Sequence, residues 1–263
     1  MNDPQRFNSK RIGTAFGAAA HDYDQYAGLQ QEIRGDCLAL AKTCWREGSH
    51  ILDLGTGTGM LARHAKEQGL GWRIYGLDLS FAMCEAAQAH GASAINASAE
   101  ALPFADASFD GAFSSLMLQW ANEPLNVFKE MFRVIKPGGT CVLSTFTHGT
   151  LDELRESFAT LDNVTHVNDF GPPNYFSAIA VHAGFRVLSS DEYIITEYYS
   201  DVTALMRNLK HIGASTKQQG TSGRGLMTPR QLKMVEQAYR RQFVHKDGLP
   251  ASWHVMTMLL EKP

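Results

Sequence analysis

The chain has 263 residues, a net charge of −3, and 44% hydrophobic against 19% charged residues, the balance of a globular protein with a substantial core. That charge gives no overall drive toward nucleic acid, and no run of about 18 apolar residues offers a membrane span. The polar first ten residues lack the apolar stretch of a secretory signal, and Cys37, Cys44, Cys84 and Cys141 have no metal or disulfide spacing, which points to buried thiols in a reducing cytoplasm.

Residues 1 to 12 read as a frayed end. Phe16, Ala20, Tyr23 and Ala27 then share one helical face, and Leu29, Ile33, Cys37 and Leu40 continue such a face. One or two helices should therefore precede the first strand. They either cover a sheet edge or form a lid, in which case Tyr23 and Tyr26 offer rings and hydroxyls to a cleft.

Ile51, Leu52 and Leu54 read as the end of a buried strand. Gly55, Gly57 and Gly59 turn the chain into a helix opening near Met60, and alternate glycines let backbone N–H groups approach a ligand. A second strand, from Tyr75, ends in Asp78, 19 residues after Gly59 and close to the spacing of ~20 for a carboxylate that holds a ribose diol. The spacing G-x-G-x-G differs from the G-x-G-x-x-G of dinucleotide enzymes, whose helix N-terminus carries a pyrophosphate. Asp53, at the strand end, repels a pyrophosphate but can pair with an amino group. A cationic, phosphate-free nucleoside fits this best, with S-adenosylmethionine as the cofactor. A nicotinamide or flavin cofactor, or a glycine turn without a ligand, are the alternatives.

Ser80 caps a helix over 81 to 90, and residues 94 to 97 make a third short strand. The following loop should overhang the ligand, placing Ser98, Ala99 and Glu100 near an adenine edge or on a solvated loop. Residues 109 to 114 form a fourth strand, with Ser114 at its carboxyl end. Gln119 and Trp120 follow where a methyl acceptor would lie, although Trp120 reads equally as core. An amphipathic helix over 125 to 135 stops at Lys136-Pro137-Gly138-Gly139, and residues 140 to 146 are a β-branched fifth strand. Helices follow at 149 to 161 and 173 to 183, a sixth strand at 184 to 195, helices at 202 to 212 and 228 to 239, and a last strand at 253 to 260. The fold class is therefore α/β, a doubly wound, seven-stranded, mostly parallel sheet with N-terminal helices, a helical insert and a closing edge hairpin. One domain spans 1–263: N-terminal lid helices (1–48), a cofactor-binding half (49–148), and the insert with closing strands (149–263).

Between Arg207 and Lys246, nine basic residues face one acid, Glu236, a net of +8 that leaves −11 on the rest of the chain. This asymmetry favours an anionic partner over a merely solvated face. An acidic protein fits better than nucleic acid, because the surface aromatics of a stacking platform are missing. Residues 215 to 225 read as a mobile polar loop.

Together, Leu52 to Gly59, Asp78-Leu79-Ser80, Glu100 to Phe104, Phe109-Asp110 and Lys136 to Gly139 resemble the class I S-adenosylmethionine methyltransferases, a Rossmann-like superfamily. The resemblance narrows to the malonyl-acyl-carrier-protein O-methyltransferases of biotin synthesis through Ala15 to Ala20 with Tyr23, Leu29-Gln30, Leu118-Gln119-Trp120 and the run Leu205 to Ala214. Many relatives carry aspartate where Ser98 stands, so the adenine contact should be weaker or shared with backbone. The resemblance implies methyl transfer to the free carboxylate of a malonyl thioester, on malonyl-acyl-carrier protein or malonyl-CoA. It also implies cofactor contacts from Asp53, Gly55, Gly57, Gly59, Asp78, Leu79, Met83, Ser98, Ala99, Glu100 and Ser114. An acceptor carboxylate is ionised near neutrality, so no catalytic general base and no metal are expected, and alignment carries the rate. Arg207 is expected to hold the carboxylate, with Lys210 one turn away on the same helix face or on a phosphopantetheine phosphate, and Tyr23, Gln119 and Trp120 to orient the acceptor. Methylation of another small acid, a quinone or an amine, nucleic-acid methylation, and a non-catalytic assembly role remain the alternatives.

Overall fold

The computed structural model describes residues 7–161, 166–214 and 228–263. Three helices, α1 (Ser9–Ala19), α2 (Tyr23–Tyr26) and α3 (Gly28–Cys44), lead into β1 (His50–Leu54). Strands and helices then alternate through α4 (Met60–Glu67), β2 (Arg73–Asp78), α5 (Phe81–Ala89), β3 (Ser93–Asn96), β4 (Phe109–Ser115), α6 (Pro124–Val134) and β5 (Ile135–Phe146). The chain closes with α7 (Asp152–Ala159), α8 (Pro173–His182), β6 (Arg186–Tyr199), α9 (Val202–His211), α10 (Pro229–Phe243) and β7 (Leu249–Glu261).

The sheet order is β3-β2-β1-β4-β5-β7-β6. The first five strands pair in parallel, and β7 is antiparallel to both β5 and β6. From β1 the chain moves outward to β2 and β3, then returns to pair β4 on the other side of β1. That reversal opens a crevice beyond the carboxyl ends of β1 and β4, where ligands of such sheets bind.

Burial on both faces explains the near-continuous apolar strands. Leu52, Leu54, Ala112, Cys141 and Leu143 point toward α6 and α8 and pack with Phe128, Met131, Phe176 and Ala180. Their neighbours Ile51, Phe113 and Val142 point the other way, onto Leu38 and Ala41 of α3 and Leu61 of α4. A further cluster joins α9 and α10 to β7 through Val202, Leu205, Val235, Tyr239 and Trp253. There the Tyr239 hydroxyl donates to the Pro250 carbonyl at 2.6 Å.

Several boundaries differ from the sequence expectation for local reasons. Residues 7 to 12 are not frayed: the Asn8 side chain caps α1, and buried Phe7 packs on Trp120 with ring centroids 5.3 Å apart. β5 starts at Ile135 instead of Thr140, because Lys136 to Gly139 bulge out within the strand. The register jumps there from Phe109↔Ile135 to Gly111↔Thr140, Gly138 takes a φ of 75°, and Lys136 Nζ pairs with Asp110 at 2.6 Å. All four cysteines are free, with Cys44 only half-buried. Among the described residues no helix is long and apolar enough to cross a membrane, and no cluster of metal-ligating side chains occurs. Lys217, Arg224 and the loop expected at 215 to 225 lie outside the described residues.

Candidate active site

The glycine turn leaves β1 with Gly55, Gly57 and Gly59 at φ of 73°, 55° and 81°, a left-handed region that favours glycine. They do different work. A Cβ on Gly57 would meet nothing within 4 Å, so this residue faces open space. A Cβ on Gly55 would strike Met117. A Cβ on Gly59 would sit 3.1 Å from Ala87 and Ala92. Gly59 therefore lets α4 pack on α5, and it lines neither of the two cavities beside the turn.

Two carboxylates flank the turn. Asp53 is buried, accepts from Thr56 Oγ1 at 2.7 Å, and is pushed up to about 7 by burial, with the Thr56 bond and the Arg34 charge opposing. Asp78 accepts from the Gly57 N–H at 2.9 Å and the Ser80 N–H at 2.8 Å. Burial raises its pKa as well, against those backbone donors. Each oxygen keeps further lone pairs for a ligand.

Three adjoining cavities meet at Tyr23, which lines all of them. The first, of about 120 Å³, holds Asp78, Leu79, Met83, Ser98, Ala99 and Glu100. These are six of the residues expected to hold a nucleoside, brought together from β2, α5 and the loop after β3. Glu100 also accepts from the Asn122 N–H at 2.7 Å, so it braces that loop. The second, of about 40 Å³, lies between Asp53, the glycine turn and the α3 residues Gln30 and Arg34. The third is an apolar cleft of about 310 Å³. Trp120 stands between cleft and nucleoside cavity, held by Phe7 and, edge-on at 5.3 Å, by Phe16. Gln119 lines the cleft, accepting from Thr145 Oγ1 at 3.1 Å and donating to the Leu116 carbonyl.

The N-terminal helices roof this arrangement. Thr58 in the glycine turn donates to Asp24 at 2.7 Å, and Gly13 and Gly17 let α1 lie directly on Leu79 and Ser80. Burial raises the Tyr23 hydroxyl to about 12, against the Arg34 charge, so it stays a neutral donor. Leu116 and Leu151 both line the cleft with positive φ, 54° and 57°. Each such residue stores about 1–3 kcal/mol of strain, a cost met most often at functional sites.

A methyltransferase-domain family matches residues 52–143. A malonyl-[acyl-carrier protein] O-methyltransferase of Erwinia billingiae is 38% identical over 255 residues, covering 96% of this chain and 97% of that protein. The chain belongs to this family. It is an S-adenosylmethionine-dependent methyltransferase. The biotin biosynthesis bifunctional protein BioHC of Teredinibacter turnerae is 36% identical over 97% of this chain, which spans 47% of that longer protein. The fold matches that of the YcgJ protein of Bacillus subtilis, with a TM-score of 0.58 at 18% identity over 86% of this chain and 97% of that one.

Against this methyltransferase frame, three expected residues sit elsewhere. Ser114 is buried within the sheet, its hydroxyl without a partner, and Ser115 lines the cavities in its place. Strand alternation makes one residue the difference between sheet interior and ligand space. Arg207 and Lys210 are exposed on α9, whose Met206 and Leu209 face the cleft instead. The amphipathic helix turns its cations to solvent. Gln30 and Arg34, four apart on one face of α3, line the small cavity although neither stood among the expected contacts. Their spacing was the available signal, since a polar pair on a core-facing helix asks for a buried partner.

Proposed function

We propose that the chain methylates the free carboxylate of a malonyl thioester, on acyl carrier protein or coenzyme A, giving the malonyl methyl ester that primes biotin synthesis in the cytoplasm. The supporting observation is the cleft itself. It adjoins the nucleoside cavity through Tyr23, Phe16, Leu116 and Trp120. Among the described residues its lining is mostly apolar, with no carboxylate, lysine or arginine and one imidazole, His166, whose ring stacks on Phe158 at 4.2 Å. An amine, phenol or nucleobase acceptor must lose a proton on reaction, whereas a carboxylate of pKa ~4 arrives ionised. Alignment in a dry cleft then suffices.

The residues fit S-adenosylmethionine, whose sulfonium supplies the activated methyl group. Asp53 holds the ammonium of its tail and Asp78 the ribose diol. Leu79, Met83, Ser98 and Ala99 bound the base, and Gly57 leaves its approach clear. Tyr23 and Gln119 donate hydrogen bonds that orient the acceptor, and Trp120 excludes water between the two ligands. Arg207, Lys210, Arg230, Lys233 and Arg241 lie exposed on α9 and α10 and meet the acidic carrier or its phosphate.

Incubation with methyl-labelled S-adenosylmethionine and malonyl or acetyl thioesters tests this. A base-labile label on the malonyl thioester alone is the expected result. No labelled ester, or equal labelling of the acetyl compound, refutes it.

A further inference from the structure

The inward face of β6 ends in two polar side chains. Glu197 and Tyr199 alternate with the exposed Thr196 and Tyr198, so strand parity turns both toward the core beneath α9 and α10. One oxygen of Glu197 takes two donors. The Trp253 indole N–H reaches it from β7 at 3.1 Å, and the Tyr199 hydroxyl at 2.8 Å. Tyr199 in turn accepts from the Asn208 amide of α9 at 2.8 Å. The Oδ1 of that amide is enclosed without a partner, which leaves the Tyr199 contact to hold it. A carboxylate only accepts, so every donor in this chain points toward Glu197. Burial, with the Glu197 charge beside it, raises the Tyr199 hydroxyl and keeps it a donor.

Both ends of the chain carry walls of the acceptor cleft. Trp253 lines it together with Phe146, their ring centroids 5.0 Å apart. Asn208 lies between Met206 and Leu209, the α9 side chains that line it. Glu197 itself lines none of the three cavities. A satisfied polar network behind an apolar surface fixes one arrangement of that surface. We propose that Glu197 is a positioning residue for the acceptor: by drawing the Trp253 indole and, through Tyr199 and Asn208, helix α9 to one oxygen, it sets the spacing of two cleft walls. The assignment rests on the malonyl reading above for its choice of substrate and adds the side chain that shapes the cleft from behind. Without the carboxylate the two donors lose their common acceptor, the indole turns, α9 shifts, and the thioester is held less firmly. Trp253, Met206 and Leu209 line neither the nucleoside cavity nor the one beside the glycine turn, so cofactor binding stays apart from this effect.

Steady-state kinetics of the full chain with labelled S-adenosylmethionine and malonyl-CoA, beside isothermal titration of the cofactor, tests this. Glu197→Gln keeps the shape and one acceptor oxygen but not the charge. It should raise KM for malonyl-CoA about 10-fold, the lower end for a hydrogen bond to a charged group, with Kd for S-adenosylmethionine within twofold of wild type. Tyr199→Phe breaks only the branch to α9 and should raise KM about threefold. A Glu197→Gln protein with unchanged KM, however far its melting temperature falls, overturns the assignment, as does one that loses cofactor affinity by the same factor as thioester affinity. Should Glu197→Gln not fold, Tyr199→Phe carries the comparison under the same two criteria. A wild-type chain that binds the cofactor but leaves malonyl-CoA unmethylated overturns the malonyl reading first, and this assignment with it.

Discussion

Asp53 must be ionised to hold an ammonium, and its burial makes that ionisation sensitive to ordinary changes of pH. Its pKa stands at about 7 in place of 3.8, chiefly from burial. A ligand that binds only the carboxylate form therefore loses affinity as pH falls through 7. From that value, S-adenosylmethionine should bind about fivefold more weakly at pH 6 than at pH 7, and about tenfold more weakly for each unit below. Above pH ~8 the ligand's own amino group deprotonates, so affinity should peak between about pH 7 and 8. Asp53→Asn should bind weakly throughout and lose the acid limb. Methylthioadenosine, which lacks the amino-acid tail, should show no Asp53 limb, and any acid dependence it retains belongs to Asp78. The sign for folding is opposite. A raised folded-state pKa means this group's stabilising contribution is complete below its unfolded value, near 3.8, and is lost as pH rises through about 7. At pH 8 the ligand-free Asp53→Asn protein should then be more stable than wild type by up to about 4 kcal/mol, at 1.36 kcal/mol per pKa unit. Titration calorimetry at pH 5.5, 6.5 and 7.5, with denaturant unfolding of the ligand-free proteins, measures both effects. Wild-type affinity that is flat across this range, or an Asp53→Asn protein less stable at pH 8, refutes the reasoning.

The glycines should separate by experiment as they do by geometry. Gly59→Ala should cost about 2–3 kcal/mol, read as a lower melting temperature, because its Cβ meets Ala87 and Ala92 at 3.1 Å in a left-handed conformation. Gly57→Ala has open space around it and should cost about 1 kcal/mol while weakening cofactor binding more than Gly59→Ala does; the reverse order contradicts these roles. Trp120→Ala removes two aromatic contacts and should destabilise by about 2–3 kcal/mol. Limited proteolysis should then cut within α1, and an uncut α1 argues against Trp120 as its anchor. Arg207→Ala with Lys210→Ala should raise KM for malonyl-carrier protein severalfold at low salt, with kcat little changed and the effect shrinking as salt rises. A fall in kcat at constant KM would return these residues to the reacting carboxylate.

The cofactor half was legible because its signals are local. Glycine conformations, strand hydrophobicity and a carboxylate at the next strand end each act within a few residues. Asp53, Asp78 and Glu100 accordingly line the cavities at the ends of β1 and β2 and in the loop after β3. What failed depends on contacts distant in sequence. Phe7 is ordered by Asn122 and Trp120, 115 residues away for the Phe7–Asn122 hydrogen bond. Gln30 and Arg34 look like ordinary surface residues of a helix until α3 docks over β1. Ser114 and Ser115 differ only in strand parity, which a boundary uncertain by one residue cannot fix. The basic run on α9 suggested a carboxylate anchor through its charge, but the helix satisfies its own amphipathic pattern by burying Val202 and Leu205, which leaves Arg207 and Lys210 outside.

Intact-mass spectrometry of the carrier shows whether this cleft esterifies a malonyl carboxylate. Malonyl-carrier protein treated with the enzyme and S-adenosylmethionine should gain a single methyl group, and mild base should remove it. A carrier of unchanged mass alongside normal cofactor binding, or a methyl group that survives base, would contradict the account.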